Sequence, residues 1–188
     1  MVTEIELKAH VTDFEAIKLV LSEKAEYLGV FEKEDSYWFL EKNSINCKEY
    51  RLRKEKRVID GIEKSACFIG YKKKEVREEI EINDEREFEV KPGEVVEEFF
   101  QDLGLRPGIS KRKRGWAYSW EGITAELVEV EGLGWFIELE ILNNDSGESI
   151  KAAKKRLLDF LSSLGIKKEA LESRFYTEML LLKTPSDL

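Results

Sequence analysis

The chain has 188 residues, 37% of them charged and 42% hydrophobic, with a formal net charge of −8. That length suits one domain, so residues 1–188 read as a single domain with the apolar content that disordered chains lack. The acidic balance argues against a nucleic-acid binder. No stretch is apolar for long enough to cross a bilayer and the N-terminus has no leader-like pattern, so a cytoplasmic protein without a membrane partner is expected.

In chain order, Glu4-Ile5-Glu6-Leu7-Lys8 reads as a strand with three charged side chains on one face and two aliphatic ones on the other. Thr12-Asp13 can cap a helix carrying Phe14, Ile17, Leu21 and Leu28, with Gly29 ending it. Strands are expected over residues 34–41, 47–57, 65–73 and 76–83, consecutive and antiparallel. Pro92-Gly93 opens a second helix through Val95, Val96, Phe99, Phe100 and Leu103, and Gly104 stops it. Strands resume over 108–142, broken near Glu121-Gly122 and at Gly132-Leu133-Gly134. A long helix begins near Asp145-Ser146 and runs through Ile150, Ala153, Leu157, Leu158 and Leu161 to Gly165. A short helix holds Phe175, Tyr176, Met179 and Leu180. The fold class is α+β, and about eight antiparallel strands can close into a barrel wide enough for a small ligand.

The charges are sorted. Acidic alternation at Glu4-x-Glu6 returns at Glu138-Leu139-Glu140, while Arg51-Leu52-Arg53, Lys72 with Lys74, and the run Lys111-Arg112-Lys113-Arg114 are basic. One amphipathic strand ordinarily turns its charged row to water. Several strands, each repeating one sign, place like charges side by side and destabilise a sheet unless something neutralises them. A divalent metal on the carboxylates and a polyphosphate on Lys and Arg would do so. Two cysteines, Cys47 and Cys67, with one histidine, His10, suggest neither a disulfide framework nor a zinc site.

Taken in order, these segments resemble the CYTH superfamily, the triphosphate tunnel metalloenzymes that include class IV adenylyl cyclases and triphosphatases. The likeness rests on Glu4-Ile5-Glu6-Leu7-Lys8, Asp35-Ser36-Tyr37, Tyr50-Arg51-Leu52-Arg53, Tyr71-Lys72, Arg77-Glu78-Glu79-Ile80-Glu81, Lys111–Arg114 and Gly132-Leu133-Gly134 to Glu140, and extends to Phe175–Leu180. It implies a closed eight-stranded antiparallel barrel with charged rows inward and helices outside, which inverts the ordinary reading of each strand. By the same resemblance Glu4, Glu6, Glu138 and Glu140 bind Mg²⁺ or Mn²⁺. Lys8, Arg51, Arg53, Lys72, Arg77 and Lys111 or Lys113 hold phosphate oxygens, and Lys8 or Tyr37 assists the attacking oxygen. Glu79 and Glu81 are further candidates for the acidic half.

Two positions depart from the family pattern. Val128, in Leu127-Val128-Glu129-Val130, stands where an acidic side chain is expected, and Glu126 on the same face is its substitute as a metal ligand. In the basic run only alternate members can face inward, either Lys111 with Lys113 or Arg112 with Arg114. The implied function is a metal-dependent enzyme on a nucleotide or inorganic triphosphate: a cyclase forming cyclic AMP and pyrophosphate from ATP, or a nucleoside, inorganic or thiamine triphosphatase. The alternative is a binding module on the same fold that has lost turnover, and a charged structural scaffold comes third. The Glu-rich, Phe-containing outer helices leave room for a homodimer.

Overall fold

The computed structural model describes residues 2–40, 49–77, 80–91, 93–144 and 149–183. Within these, the side chains of residues 2–3, 49, 72–75, 77, 84–85, 93–94 and 143–144 lie outside the description. The chain runs β1 (Val2–His10), α1 (Phe14–Lys24), β2 (Glu26–Phe39), β3 (Glu49–Ile59), β4 (Ile62–Arg77), β5 (Ile80–Glu89), α2 (Gly93–Asp102), β6 (Arg106–Trp120), β7 (Ile123–Val130), β8 (Gly134–Asn144), α3 (Ile150–Ser163) and α4 (Tyr176–Lys183). A single 3₁₀ turn, Lys168–Ala170, precedes α4. The eight strands close into an antiparallel barrel in the order β1, β5, β4, β3, β2, β6, β7, β8. Among the described residues no helix is long and apolar enough to cross a membrane.

The apolar rows face outward and build the main core there. Ile5 and Leu7 of β1, Ala125 and Leu127 of β7, and Ile137, Leu139 and Ile141 of β8 pack beneath Leu21 of α1 and Ala153, Leu157, Phe160 and Leu161 of α3. A smaller outer cluster joins Trp38 and Leu52 to Val96 and Phe100 of α2. Burial of these rows at about 25 cal/mol per Å² of apolar surface is what holds helices to barrel, and it leaves the charged rows facing in.

Several boundaries differ from the sequence reading. Strand β2 begins at Glu26 and not near residue 34, β4 runs on to Arg77 past residue 73, and β5 is Ile80–Glu89 where 76–83 was expected. Two helix ends move as well. The first helix stops at Lys24, so Leu28 and Gly29 belong to β2. Asp13 caps the helix as expected by accepting from the Ala16 amide. Gly29, at φ +114°, sits at a shift in the β2–β6 register, where an added Cβ would lie 2.3 Å from the Val58 carbonyl oxygen. It shapes a bulge rather than ending a helix. The third helix starts at Ile150, with Ser149 accepting from the Ala152 amide as its cap, later than the Asp145-Ser146 start; residues 145–148 lie outside the described residues.

Gly115 of β6 pairs with Phe31 on one side and Val128 on the other. A Cβ there would lie 2.1 Å from the Leu127 carbonyl oxygen and 2.9 Å from the Val128 Cα. Backbone cannot swing aside as a side chain can, so Gly115→Ala is expected to destabilise the barrel by about 1–3 kcal/mol, measured by urea denaturation. An unchanged midpoint would show that β7 yields freely there.

Candidate active site inside the barrel

Strand alternation turns the charged rows into a common interior. They bound a cavity of about 110 Å³ lined by Glu4, Glu6 and Lys8 of β1, Lys33 and Tyr37 of β2, Arg51 and Arg53 of β3, Glu81 of β5, Lys111 and Lys113 of β6, Thr124 and Glu126 of β7, Glu138 and Glu140 of β8, and Phe175, Tyr176 and Thr177 at the start of α4. The barrel thus brings together Glu4, Glu6, Lys8, Tyr37, Arg51, Arg53, Lys111, Lys113, Glu126, Glu138 and Glu140, all anticipated from sequence. Lys72 and Arg77 belong to β4, but their side chains lie outside the described residues, as do Glu79 and Cys47. Cys67 is a free thiol.

The register of the basic run is resolved. Lys111 and Lys113 are each 8% exposed and face the cavity, whereas Arg112 and Arg114 point outward to pair with Glu34 and Glu129. Lys33 and Asp35 are charged site members that the sequence reading passed over. Their signal was the same alternation, Phe31-Lys33-Asp35-Tyr37, on one strand face. Asp35 is fully buried and grips two cations, taking both branches of Arg53 at 2.7 and 3.0 Å and Lys111 at 3.1 Å. Burial pushes its carboxyl up, but Lys111 and Arg53 outweigh that and hold it well below the usual carboxylate range.

Two strands further round the barrel, Glu126 of β7 accepts from Lys33 at 2.6 Å and from Lys113 at 3.3 Å, and Lys113 also reaches Glu138 at 2.6 Å. Burial disfavours the Glu126 charge, yet the two ammonium groups overcome it and push that pKa down. Lys113, flanked by both carboxylates, is pushed up despite burial. Lys33 goes the other way: burial dominates, Glu126 opposes it, and Lys113 and Arg53 add repulsion, so its pKa is lowered. Lys8 pairs with Glu81, and its ammonium lies 5.4 Å from the Tyr176 ring centroid.

Acid meets acid across neighbouring strands. Glu6 stands directly opposite both Glu140 and Glu81, and Glu126 opposite Glu138. Such pairs repel unless a cation lies between them, as the Lys113 ammonium does for Glu126 and Glu138. The Oε1 atom of Glu138 is buried without a hydrogen-bond partner. These oxygens are the donors that hard divalent cations take, and in kind they fit Mg²⁺ or Mn²⁺. Among the described residues, no three carboxylate, imidazole or thiol side chains are already gathered about one point as a finished cage.

Val128 is fully buried in an apolar interior cluster with Phe31, Ala117, Val130, Phe136, Tyr176 and Met179. It therefore lies beside the charged cavity, in surroundings that would penalise a carboxylate. Glu126 is the acidic group that β7 contributes to the cavity. The Tyr176 hydroxyl is also buried without a partner, and burial together with Glu138 pushes its pKa well above the phenol range.

This arrangement, a closed barrel with inward acid and base rows, is accompanied by a match of the CYTH domain family profile to residues 3–176. The chain belongs to the CYTH domain family. A relative at the sequence level is a candidate adenylate cyclase of Methanocaldococcus jannaschii, 30% identical over 112 residues. That match covers 60% of this chain and 63% of the relative, so it spans less than two thirds of the relative's length. Among solved structures, the PH1819 protein of Pyrococcus horikoshii aligns with a TM-score of 0.80 at 30% identity, covering 96% of this chain and 99% of that one. A candidate adenylyl cyclase from Hippeastrum, described as having a dominant triphosphatase activity, shares the fold with a TM-score of 0.67 at 17% identity over 96% of this chain and 94% of its own.

Proposed function

We propose that this CYTH domain is a divalent-metal-dependent enzyme that acts on a triphosphate. The observation that carries the reading is the charge balance of the cavity. Among the described residues, six carboxylates (Glu4, Glu6, Glu81, Glu126, Glu138, Glu140) face six cationic side chains (Lys8, Lys33, Arg51, Arg53, Lys111, Lys113) in one small enclosed space. An anion alone would meet as much repulsion as attraction there. A ligand that pairs a polyanionic chain with a divalent cation suits both halves.

Size supports the same reading. A cavity of about 110 Å³ is well below the roughly 300–1,000 Å³ of pockets that swallow whole drug-sized ligands. It suits a phosphate chain whose organic part, if any, stays outside. Arg51, Arg53, Lys8, Lys111 and Lys113 bind its oxygens, and Asp35 fixes Arg53 and Lys111 in place before the ligand arrives. Glu4, Glu6, Glu126, Glu138 and Glu140 would hold Mg²⁺ or Mn²⁺, which polarises a phosphoryl oxygen and offsets negative charge. Lys8 and Tyr37, both at the cavity wall, orient the attacking oxygen: a ribose hydroxyl in cyclisation, water in hydrolysis.

Incubating the purified chain with Mg²⁺ or Mn²⁺ and ATP, GTP, thiamine triphosphate or inorganic tripolyphosphate tests this. Metal-dependent product is expected; cyclic nucleotide with pyrophosphate identifies a cyclase, and orthophosphate a hydrolase. Tight binding without product would overturn the enzyme reading. It would leave the second one, a polyphosphate-binding module, which Val128 favours by occupying the place of a carboxylate with an aliphatic group.

A further inference from the structure

The helix α4 begins at the cavity wall, and its first residue carries an unused donor. The Tyr176 side chain is 7% exposed, its ring meets Phe136 edge-on at 5.0 Å, and the ammonium groups of Lys8 and Lys111 each lie 5.4 Å from its centroid. Its hydroxyl is buried with no hydrogen-bond partner, and so is Oε1 of Glu138 in the same wall. Leaving a buried hydroxyl and a buried carboxylate oxygen unsatisfied is costly, more so for the charged group. The Glu138 carboxylate acts on the hydroxyl at close range, yet neither atom reaches a partner with full hydrogen-bond geometry.

The two atoms ask for opposite partners. A phenol is protonated at neutral pH and needs an acceptor, whereas a carboxylate oxygen needs a donor or a cation. A phosphate oxygen bound to a divalent metal, or to water on that metal, supplies both at once. We propose that Tyr176 is a substrate-binding residue delivered by the C-terminal helix. Its hydroxyl donates to a phosphoryl oxygen at the junction where the metal, held by Glu138, meets the polyphosphate. The ring carries the ammonium groups of Lys8 and Lys111 over it, and the hydroxyl reads the anion they attract. This inference rests on the triphosphate reading above.

The test is binding of inorganic tripolyphosphate in the presence of Mg²⁺, followed by calorimetry for the native chain and for Tyr176→Phe. Phe keeps the packing on Phe136 and the contact with both ammonium groups and deletes only the hydroxyl. A hydrogen bond to a charged acceptor is worth enough that the variant is expected to bind about tenfold to a hundredfold more weakly. Mn²⁺ binding without phosphate, read by electron paramagnetic resonance, should be unchanged. Equal tripolyphosphate affinity in native chain and variant would overturn the role of Tyr176 and leave the triphosphate reading intact. Failure of the native chain to bind would overturn both. Should the variant melt early, the native chain carries the test alone: with ¹³C-labelled tyrosine, the Tyr176 ring-carbon resonance must move when tripolyphosphate and Mg²⁺ are added, and a fixed resonance refutes the contact.

Discussion

Glu138→Gln is expected to lower metal-dependent product formation by about a hundredfold or more and to raise the Mn²⁺ concentration needed for half-maximal activity. Glu138 uses one oxygen for Lys113 at 2.6 Å and keeps the other buried without a partner. Gln preserves shape and can still accept from Lys113 through its carbonyl. It loses the negative charge, and a neutral amide is a poor substitute ligand for a hard divalent ion. The effect should therefore appear in turnover and metal dependence. Glu6→Ala should act in the same direction, because Glu6 lies opposite both Glu140 and Glu81 and anchors the acidic wall. Melting curves and circular dichroism would check that both variants stay folded. Full activity in both, at native metal concentrations, would remove the carboxylate assignment.

Much of this site was legible in the sequence because a strand's period is two. Once Glu4 and Glu6 share a face, Lys8 must share it, and the same rule aligns Glu138 with Glu140 and Arg51 with Arg53. What periodicity leaves open is which face is inside. The runs at Glu4–Lys8 and Glu138–Ile141 read equally well as solvated edges, and only closure of the barrel with α1 and α3 outside decides it. The four basic residues Lys111–Arg114 posed the same question within one segment. Pairing of Lys111 with Asp35 and of Lys113 with Lys33 sets them inside, on the β2–β6 register that no local pattern contains.

The misplaced boundaries have a similar origin. Leu28 falls seven residues after Leu21 and so continues a helical stripe on paper, yet Glu26 and Tyr27 already pair with Ser119 and Tyr118 of β6. Tertiary pairing overrode local spacing there. Tyr176 was visible only as an apolar member of a short helix. Its second role depends on where α4 lands, beside cavity residues more than 30 positions away in sequence.

Asp35→Asn should produce the largest loss of stability. The carboxylate is fully buried and neutralises Arg53 through two hydrogen bonds and Lys111 through one ion pair. Removing one partner of a buried ionic group leaves the others uncompensated, a change that typically costs about 3–5 kcal/mol. Denaturant unfolding should show that loss in the ligand-free protein, and a loss below about 1 kcal/mol would mean that the two cations find other partners. The acid limb of the stability curve tests the same carboxylate with a fixed sign. Its folded pKa lies well below the unfolded value of about 3.9, so its contribution is complete above that value and is lost as pH falls through the folded pKa. The native chain should therefore lose its advantage over Asp35→Asn only in strong acid. An advantage that persisted unchanged there would show that the difference arises from packing and not from the charge.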